Sequence, residues 1–354
     1  MRILNTPVLD NTHPHRHFCI ELEDVAFQHR DPTITKGIGS DWLVGIWQGK
    51  KLILDDKDGF KVGNPSSIVG AEIQTFDIEE VIQDTSFLLY DAAGLNYAHF
   101  FFDMFSRCLY YDELRKSNPQ LQIVIPEDYY SEAGNSTFVK EWLDLYYKNN
   151  PPVIKVLQKG VGYKINKVII PGAMYTFPEP FGDRFVISKI RETIAAIPPI
   201  ETKSEGCYIS RQDTKKRGWY HSRDLVNELE LIEQIKGKLN YDIIELMDYN
   251  MIEKIQIFKS YKTIIQQSSA SNISAIFSNP GTNTVIISNP RMGWLSYKLQ
   301  QFSDMIGFNL YTLEDVGRYL SEELNPNQID KDNYPWELVD VEGVVELLEQ
   351  IKQL

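Results

Sequence analysis

The chain has 354 residues, 43% of them hydrophobic and 24% charged, with a net charge of −13. That length suffices for two domains with separate cores. So acidic a chain excludes a general nucleic-acid binder, which needs a broad basic face, and any anion site must be local.

The opening "MRILNTPVLDNTHPH" shows no basic-then-apolar leader, and no run of about 18 apolar residues follows it, so no transmembrane segment is expected. Cys19, Cys108 and Cys207 are too few for a disulfide framework and lack metal-ligand spacing. A reducing, cytoplasmic setting is the simpler expectation, with peripheral membrane association left open. His13, His15 and His17 have no carboxylate or Cys partner beside them, and the two "DKD" triplets, Asp56 to Asp58 and Asp330 to Asp332, sit among turn formers. Neither reads as a metal site.

Short β-like runs fill the first eighty or so residues, with a hairpin expected over Lys51–Val62 around an Asp58-Gly59 turn. From there strands and helices alternate. "SFLLYD" (86–91) is a buried strand, and "NYAHFFFDMFSR" (96–107) is a helix with aromatic residues on most of its circumference. On an α-helix His99, Asp103 and Arg107 stack at i, i+4 spacing, joined by Asn96 at i, i+3, within roughly 80° of arc. A thin polar stripe on a core helix is either a closed structural network or the wall of a wet cleft. Next come the strand "LQIVIP" (121–126), the helix 136–148, and the strands "VIKVLQ" and "KVIIP". This alternation predicts a parallel sheet covered by helices.

"IAAIPPIETKSEG" (194–206) reads as a linker. Beyond it, "CYIS" (207–210), a helix at 224–239, "YDIIELM" (241–247), a helix with Asp248 as its N-cap, "KTIIQQ" (262–267), a short helix near 270–277 and "NTVIIS" (283–288) form a second doubly wound unit. Between Lys203 and Arg223, on both sides of "CYIS", lie Lys203, Arg211, Lys215, Lys216, Arg217 and Arg223 against Glu205 and Asp213, and the basic loop after the strand fits a phosphate group or is merely solvated. After "IIQQ", the N–H groups of Ser268, Ser269 and Ala270 would face an anion at a helix start, or Ser would simply cap it. No G-x-G-x-x-G or Walker A loop is present. The amphipathic segment 337–354 could cover the first lobe or form a subunit contact.

Three stretches together resemble glycosyltransferase family 61, the DUF563 type. The matching residues are Asn96, His99, Asp103 and Arg107, then Tyr208 and Arg211, then Arg223, Asn227 and Glu228, then Ala270 and Asn272, across roughly residues 86 to 290. Ser268 and Ser269 stand where relatives tend to carry His and Gly. The resemblance implies a GT-B fold: α/β, two Rossmann-like doubly wound lobes with an interlobe cleft. The boundaries expected are 1–195 for the acceptor-side lobe, 196–206 for the linker, 207–325 for the nucleotide-sugar lobe and 326–354 for the tail. The resemblance also implies inverting transfer from a nucleoside-diphosphate sugar, a UDP-sugar favoured, to a glycan or glycolipid hydroxyl, with no metal or other cofactor. His99 or Asp103 would act as the base, Asp103 orienting the imidazole if it bonds His99. Arg211, Arg223, Asn227, Glu228, Ser268, Ser269 and Asn272 would serve the donor, and Asn96 and Arg107 the substrate side. Alternatives are a noncatalytic nucleotide- or glycan-binding protein of the same fold and a GT-B type nucleotide-sugar epimerase. A homodimer is left open.

Overall fold

In the computed structural model the runs "SFLLYD" and "LQIVIP" lie side by side as parallel strands, as their unbroken apolar character predicts. The structure describes residues 2–5, 18–29, 44–48, 51–52, 77–90, 94–132, 137–171, 184–212, 225–288, 293–319 and 336–353. The chain divides into two compact units, Met1–Glu179 and Pro180–Leu354.

In the first unit the described strands are β1 (Arg2–Asn5), β2 (Phe18–His29), β3 (Val44–Gln48), β4 (Lys51–Leu52), β5 (Glu80–Ile82), β6 (Ser86–Leu88), β7 (Gln122–Pro126), β8 (Ile154–Leu157) and β9 (Gly162–Pro171). They form one sheet in the order β4-β3-β2-β9-β6-β7-β8, with β1 added on β2 and β5 on β9. β6, β7 and β8 run parallel, and β6 also runs parallel to β9. The long β2 meets β9 antiparallel, so this sheet is mixed and not parallel throughout. Lys51 and Leu52 pair back on Gln48 and Trp47, upstream of the hairpin expected at Lys51–Val62, and Asp58-Gly59 lies outside the described residues. His13, His15, His17 and both DKD triplets lie outside them too.

The second unit carries β10 (Gly206–Ser210), β11 (Asp242–Glu245), β12 (Thr263–Gln267), β13 (Asn283–Ile287) and β14 (Asn309–Leu313), all parallel, in the order β11-β10-β12-β13-β14. Numbered within the sheet this is 2-1-3-4-5, a doubly wound order whose direction reverses between β10 and β12. The connections run right through the helices Glu228–Gln234, Met251–Ser260, Ala270–Phe277 (a 3-10 helix) and Gly293–Ile306. Mixed α/β architecture with parallel sheets fits a Rossmann-like glycosyltransferase fold. Gly206 opens β10 because the Tyr241 ring lies against it; a Cβ there would come within 2.5 Å of the ring.

Three local expectations change. The helix Met251–Ser260 is capped by Asn250, not Asp248, which closes a one-turn 3-10 segment instead. Asn250 Oδ1 accepts from Glu253 N at 3.0 Å and Glu253 Oε2 from Asn250 N at 2.8 Å, a reciprocal box that Asp248 has no counterpart for. The helix Arg184–Ile194, assigned by sequence to the first lobe, belongs to the second unit. Arg191 Nη1 there donates to Ile276 O at 3.1 Å and Ser278 O at 2.7 Å, closing the carboxyl end of the 3-10 helix. The helix Val341–Lys352 buries Val341, Val344, Val345, Leu348 and Ile351 against Tyr208, Ile265, Val285 and Ile287. Its apolar face is therefore taken by the second unit's own sheet.

Among the described residues no helix is long and apolar enough to cross a membrane. Cys19, Cys108 and Cys207 are free and fully buried. Burial pushes the Cys19 thiol up to about 12, the Arg107 cation opposing, and raises Cys108 and Cys207 as well. The folded chain thus holds thiol protons that the unfolded chain releases near pH 9, so this contribution to stability is present below that pH and is lost as pH rises towards 12. A thiol reagent at pH 8 is expected to label none of the three in the native protein and all three in denaturant. The unfolding midpoint in urea should fall steadily above pH 9.

Candidate functional site

The aromatic helix begins where Asn96 caps it. Asn96 is extended (φ −81°, ψ 128°), and its Oδ1 accepts from Ala98 N at 3.0 Å and from His99 N at 3.5 Å. The helix then departs from α geometry. After the single turn Tyr97–His99, residues Phe100–Met104 are π-helical, with Phe105 N donating to Phe100 O, and α geometry resumes over Phe105–Ser117. The i→i+5 turn inserts an extra residue into the helical repeat. His99 and Arg107 therefore do not stand on the straight i, i+4 line that an α-helix would give.

Rings surround this turn. Phe101 and Phe105 meet Trp142 edge-on at 4.9 and 5.3 Å between centroids, Phe105 meets Tyr146 at 4.9 Å, and Phe100 meets Phe138 at 5.6 Å. Such edge-to-face seats add to plain burial and hold the helix against Thr137–Tyr146. The polar stripe splits. His99 is half-buried, whereas Arg107 is 1% exposed and donates Nη1 to Tyr90 O just beyond β6. Arg107 ties helix to sheet and does not reach a solvent-facing site. Asn96 serves as a helix cap. The side chain of Asp103 lies outside the described residues.

In the second unit the reversal point between β10 and β12 brings the remaining candidates together. Glu228 opens the helix Glu228–Gln234 and is fully buried. Its Oε1 accepts from Tyr208 Oη at 3.1 Å, Ser210 Oγ at 3.2 Å and Arg211 N at 2.8 Å, and its Oε2 accepts from Gln212 Nε2 at 2.5 Å. Four donors suit an ionised carboxylate held away from water. Gln267 Nε2 extends the network by donating to Tyr208 Oη at 3.0 Å. Burial, reinforced by the Glu228 charge, raises the Tyr208 phenol well above its ordinary range and keeps it a donor. Glu228 thus orders the backbone at Arg211, the first residue past β10. Asn227 is engaged elsewhere: its Nδ2 donates to Leu338 O and its Oδ1 accepts from Leu338 N, both at 3.0 Å. That amide docks β16 (Trp336–Leu338), which pairs with β15 (Gly317–Tyr319).

The Ser turn also differs from expectation. Ser268 N donates to Ile287 O at 3.0 Å and Ser269 N to Asn272 Oδ1 at 2.6 Å. Asn272 Nδ2 returns to Gln267 O at 3.0 Å, and Ser269 Oγ lies 2.6 Å from Ser271 Oγ. The N–H groups of Ser268 and Ser269 are therefore spent inside the fold and do not face an anion. Sheet pairing runs one residue past β12, and the buried Asn272 side chain closes the turn. Of the donor candidates, Arg211 stands immediately past the carboxyl end of β10. Arg223, Lys215, Lys216 and Arg217 lie outside the described residues. Sequence reasoning named Tyr208 as a matching position but missed Gln266 and Gln267 as polar groups of this region. The signal was two glutamines closing an otherwise apolar strand that is buried on both faces.

Among the described residues no three His, Cys, Asp or Glu side chains cluster as metal ligands. The model of the family described as Glycosyltransferase 61 matches residues 97–286, more than half of the chain. That span starts within the aromatic helix and ends in β13. No curated protein matches the chain.

Glu228→Ala is expected to strand several buried donors and to lower the stability of the second unit by on the order of 3 kcal/mol. Glu228→Gln keeps the Oε1 acceptor and should cost less. Calorimetric unfolding of both variants checks the order.

Proposed function

The chain belongs to glycosyltransferase family 61, and from that membership we propose that it is an inverting enzyme using a nucleoside-diphosphate sugar, a UDP-sugar favoured, and a glycan or glycolipid hydroxyl. The donor is assigned to the second unit and the base to the first, the division of labour of a GT-B enzyme. The observation that carries this reading is Arg211 at the carboxyl end of β10, beside the reversal point of a 2-1-3-4-5 sheet, where doubly wound folds bind their ligands.

In this reading His99 removes the acceptor hydroxyl proton as the oxygen attacks the anomeric carbon. The bond from that carbon to the diphosphate oxygen breaks, and the departing negative charge meets the Arg211 guanidinium, whose fork suits phosphate oxygens. Asp103, four residues after His99, is proposed to orient the imidazole. Glu228 acts through Arg211 and does not touch the donor. Support for His99 comes from its half-buried position at the start of a helix whose next turn is π-helical, a feature frequent at functional sites. The transfer is proposed to need no metal ion, with Arg211 supplying the positive charge. Three buried, unpaired thiols accord with a cytoplasmic setting.

His99→Ala is expected to lower kcat by about 10²- to 10⁴-fold with little change in donor KM, and Arg211→Ala to raise donor KM. The assay is sugar transfer with a panel of nucleotide-sugars and glycan acceptors, run with and without EDTA. A wild-type rate in His99→Ala removes the proposed base, and loss of transfer in EDTA removes metal independence.

A further inference from the structure

Among the described residues, Gln266 is the side chain of the second sheet with both amide atoms buried and without a hydrogen-bond partner. It is 0% exposed, and among the described residues neither its Nε2 nor its Oε1 has a hydrogen-bond partner. Its neighbour Gln267 faces the other side of the sheet, where Nε2 donates to Tyr208 Oη. Strand alternation then sends Gln266 to the opposite face, away from the Glu228 network.

Register defines the company Gln266 keeps. It pairs with Ile209 on β10 and Ile286 on β13, both apolar. One rung nearer the sheet surface, Ser210 and Gln267 stand between it and the strand ends. Two residues on along their strands, on the same face as Gln266, come Ser268 and Ser288; Arg211 lies just past the end of the neighbouring strand, its N–H taken by Glu228 Oε1 at 2.8 Å. Ser268 N bonds Ile287 O and Ser288 N bonds Leu313 O, so the ladder extends that far. Gln266 therefore lies beneath a polar rung of Ser268 and Ser288, with the proposed phosphate-binding Arg211 at the neighbouring strand end. An amide so placed offers two donors and an acceptor in one plane. A sequence selected for stability alone would place an apolar side chain there, since an unpartnered buried amide is destabilising and its removal leaves no orphaned partner.

We propose that Gln266 is a donor-binding residue: its side-chain amide forms the floor of the nucleoside-diphosphate site, beneath the Ser268–Ser288 rung. The inference rests on the donor-binding reading of the second unit given above. The group it takes presents a hydrogen-bond donor and an acceptor side by side, as a nucleobase edge or adjacent hydroxyls do. Both amide atoms are enclosed.

The test compares wild type with Gln266→Met and Gln266→Leu, measuring UDP, GDP and CMP binding by calorimetry and the unfolding temperature of each protein. Thr284→Val is the control. Thr284 Oγ1 is also buried without a partner among the described residues, on the same face as Gln266 but farther from the strand ends. The expected result is nucleotide binding weakened about tenfold or more in both Gln266 variants, at an unfolding temperature equal to or above that of wild type. Thr284→Val should bind as wild type does. Gln266 variants that bind within twofold of wild type overturn the inference and leave the donor-binding reading standing, as does an equal loss in Thr284→Val. A wild-type protein that binds none of the three nucleotides overturns both.

Discussion

Glu228 governs how the second unit's strand ends are held. A carboxylate with no exposure is tolerated only when donors surround it, and three of its donors come from Ser210, Arg211 and Gln212, at and just beyond the end of β10. The fourth, Tyr208, reaches across to Gln267 on β12. Two strands meeting at the sheet's reversal point are thereby locked by a single buried charge. Asn227, one residue earlier, uses both ends of its amide to hold β16. The start of one short helix therefore organises a strand end, a neighbouring strand and an edge element.

The two faces of that sheet treat polar groups differently. On the Glu228 face, hydroxyls and the Gln212 and Gln267 amide N–H groups find partners, although Gln267 Oε1 finds none among the described residues, and below them lies an apolar core completed by the helix Val341–Lys352. On the other face the Gln266 amide is enclosed with no partner among the described residues. Sequences specify a fold most strongly when every local choice agrees, and departures concentrate where a protein works. The contrast across one pleat gives the Gln266 face its functional weight.

The first unit makes a related compromise in its aromatic helix. Rings at Phe100, Phe101 and Phe105 each find an edge-to-face seat against Phe138, Trp142 or Tyr146, and the backbone accommodates them by widening to a π turn. Arg107, beyond that turn, is anchored to Tyr90 O, while His99, before it, is left half-buried. One stretch of chain thus carries both an anchor and a candidate base.

Much was legible from pattern alone. Apolar runs such as "SFLLYD", "LQIVIP" and "NTVIIS" announce strands buried on both faces, because only helices covering each side of a sheet make such runs tolerable. The family resemblance rested on residues from Asn96 to Asn272, all but Asn96 inside the span that the family model matches. The roles of those residues were not legible. Asn96, Asn227 and Asn272 bring side-chain amides that suit a ligand or a backbone equally well, and the sequence does not say which is nearer. In the fold all three spend those groups on main-chain partners. In the Ser turn the N–H groups of Ser268 and Ser269 likewise meet Ile287 O and Asn272 Oδ1 inside the fold.

By itself the sequence determined the acidic balance, the alternation of strands and helices, the family and the identities of the polar residues available. Tertiary structure decided the strand order, the boundary at 179/180 and the choice of which polar groups are consumed inside the fold. Periodicity is a local property carried by neighbours in the chain. Hydrogen-bond satisfaction depends on partners such as Leu338 for Asn227, 111 residues away, which only the folded chain brings together.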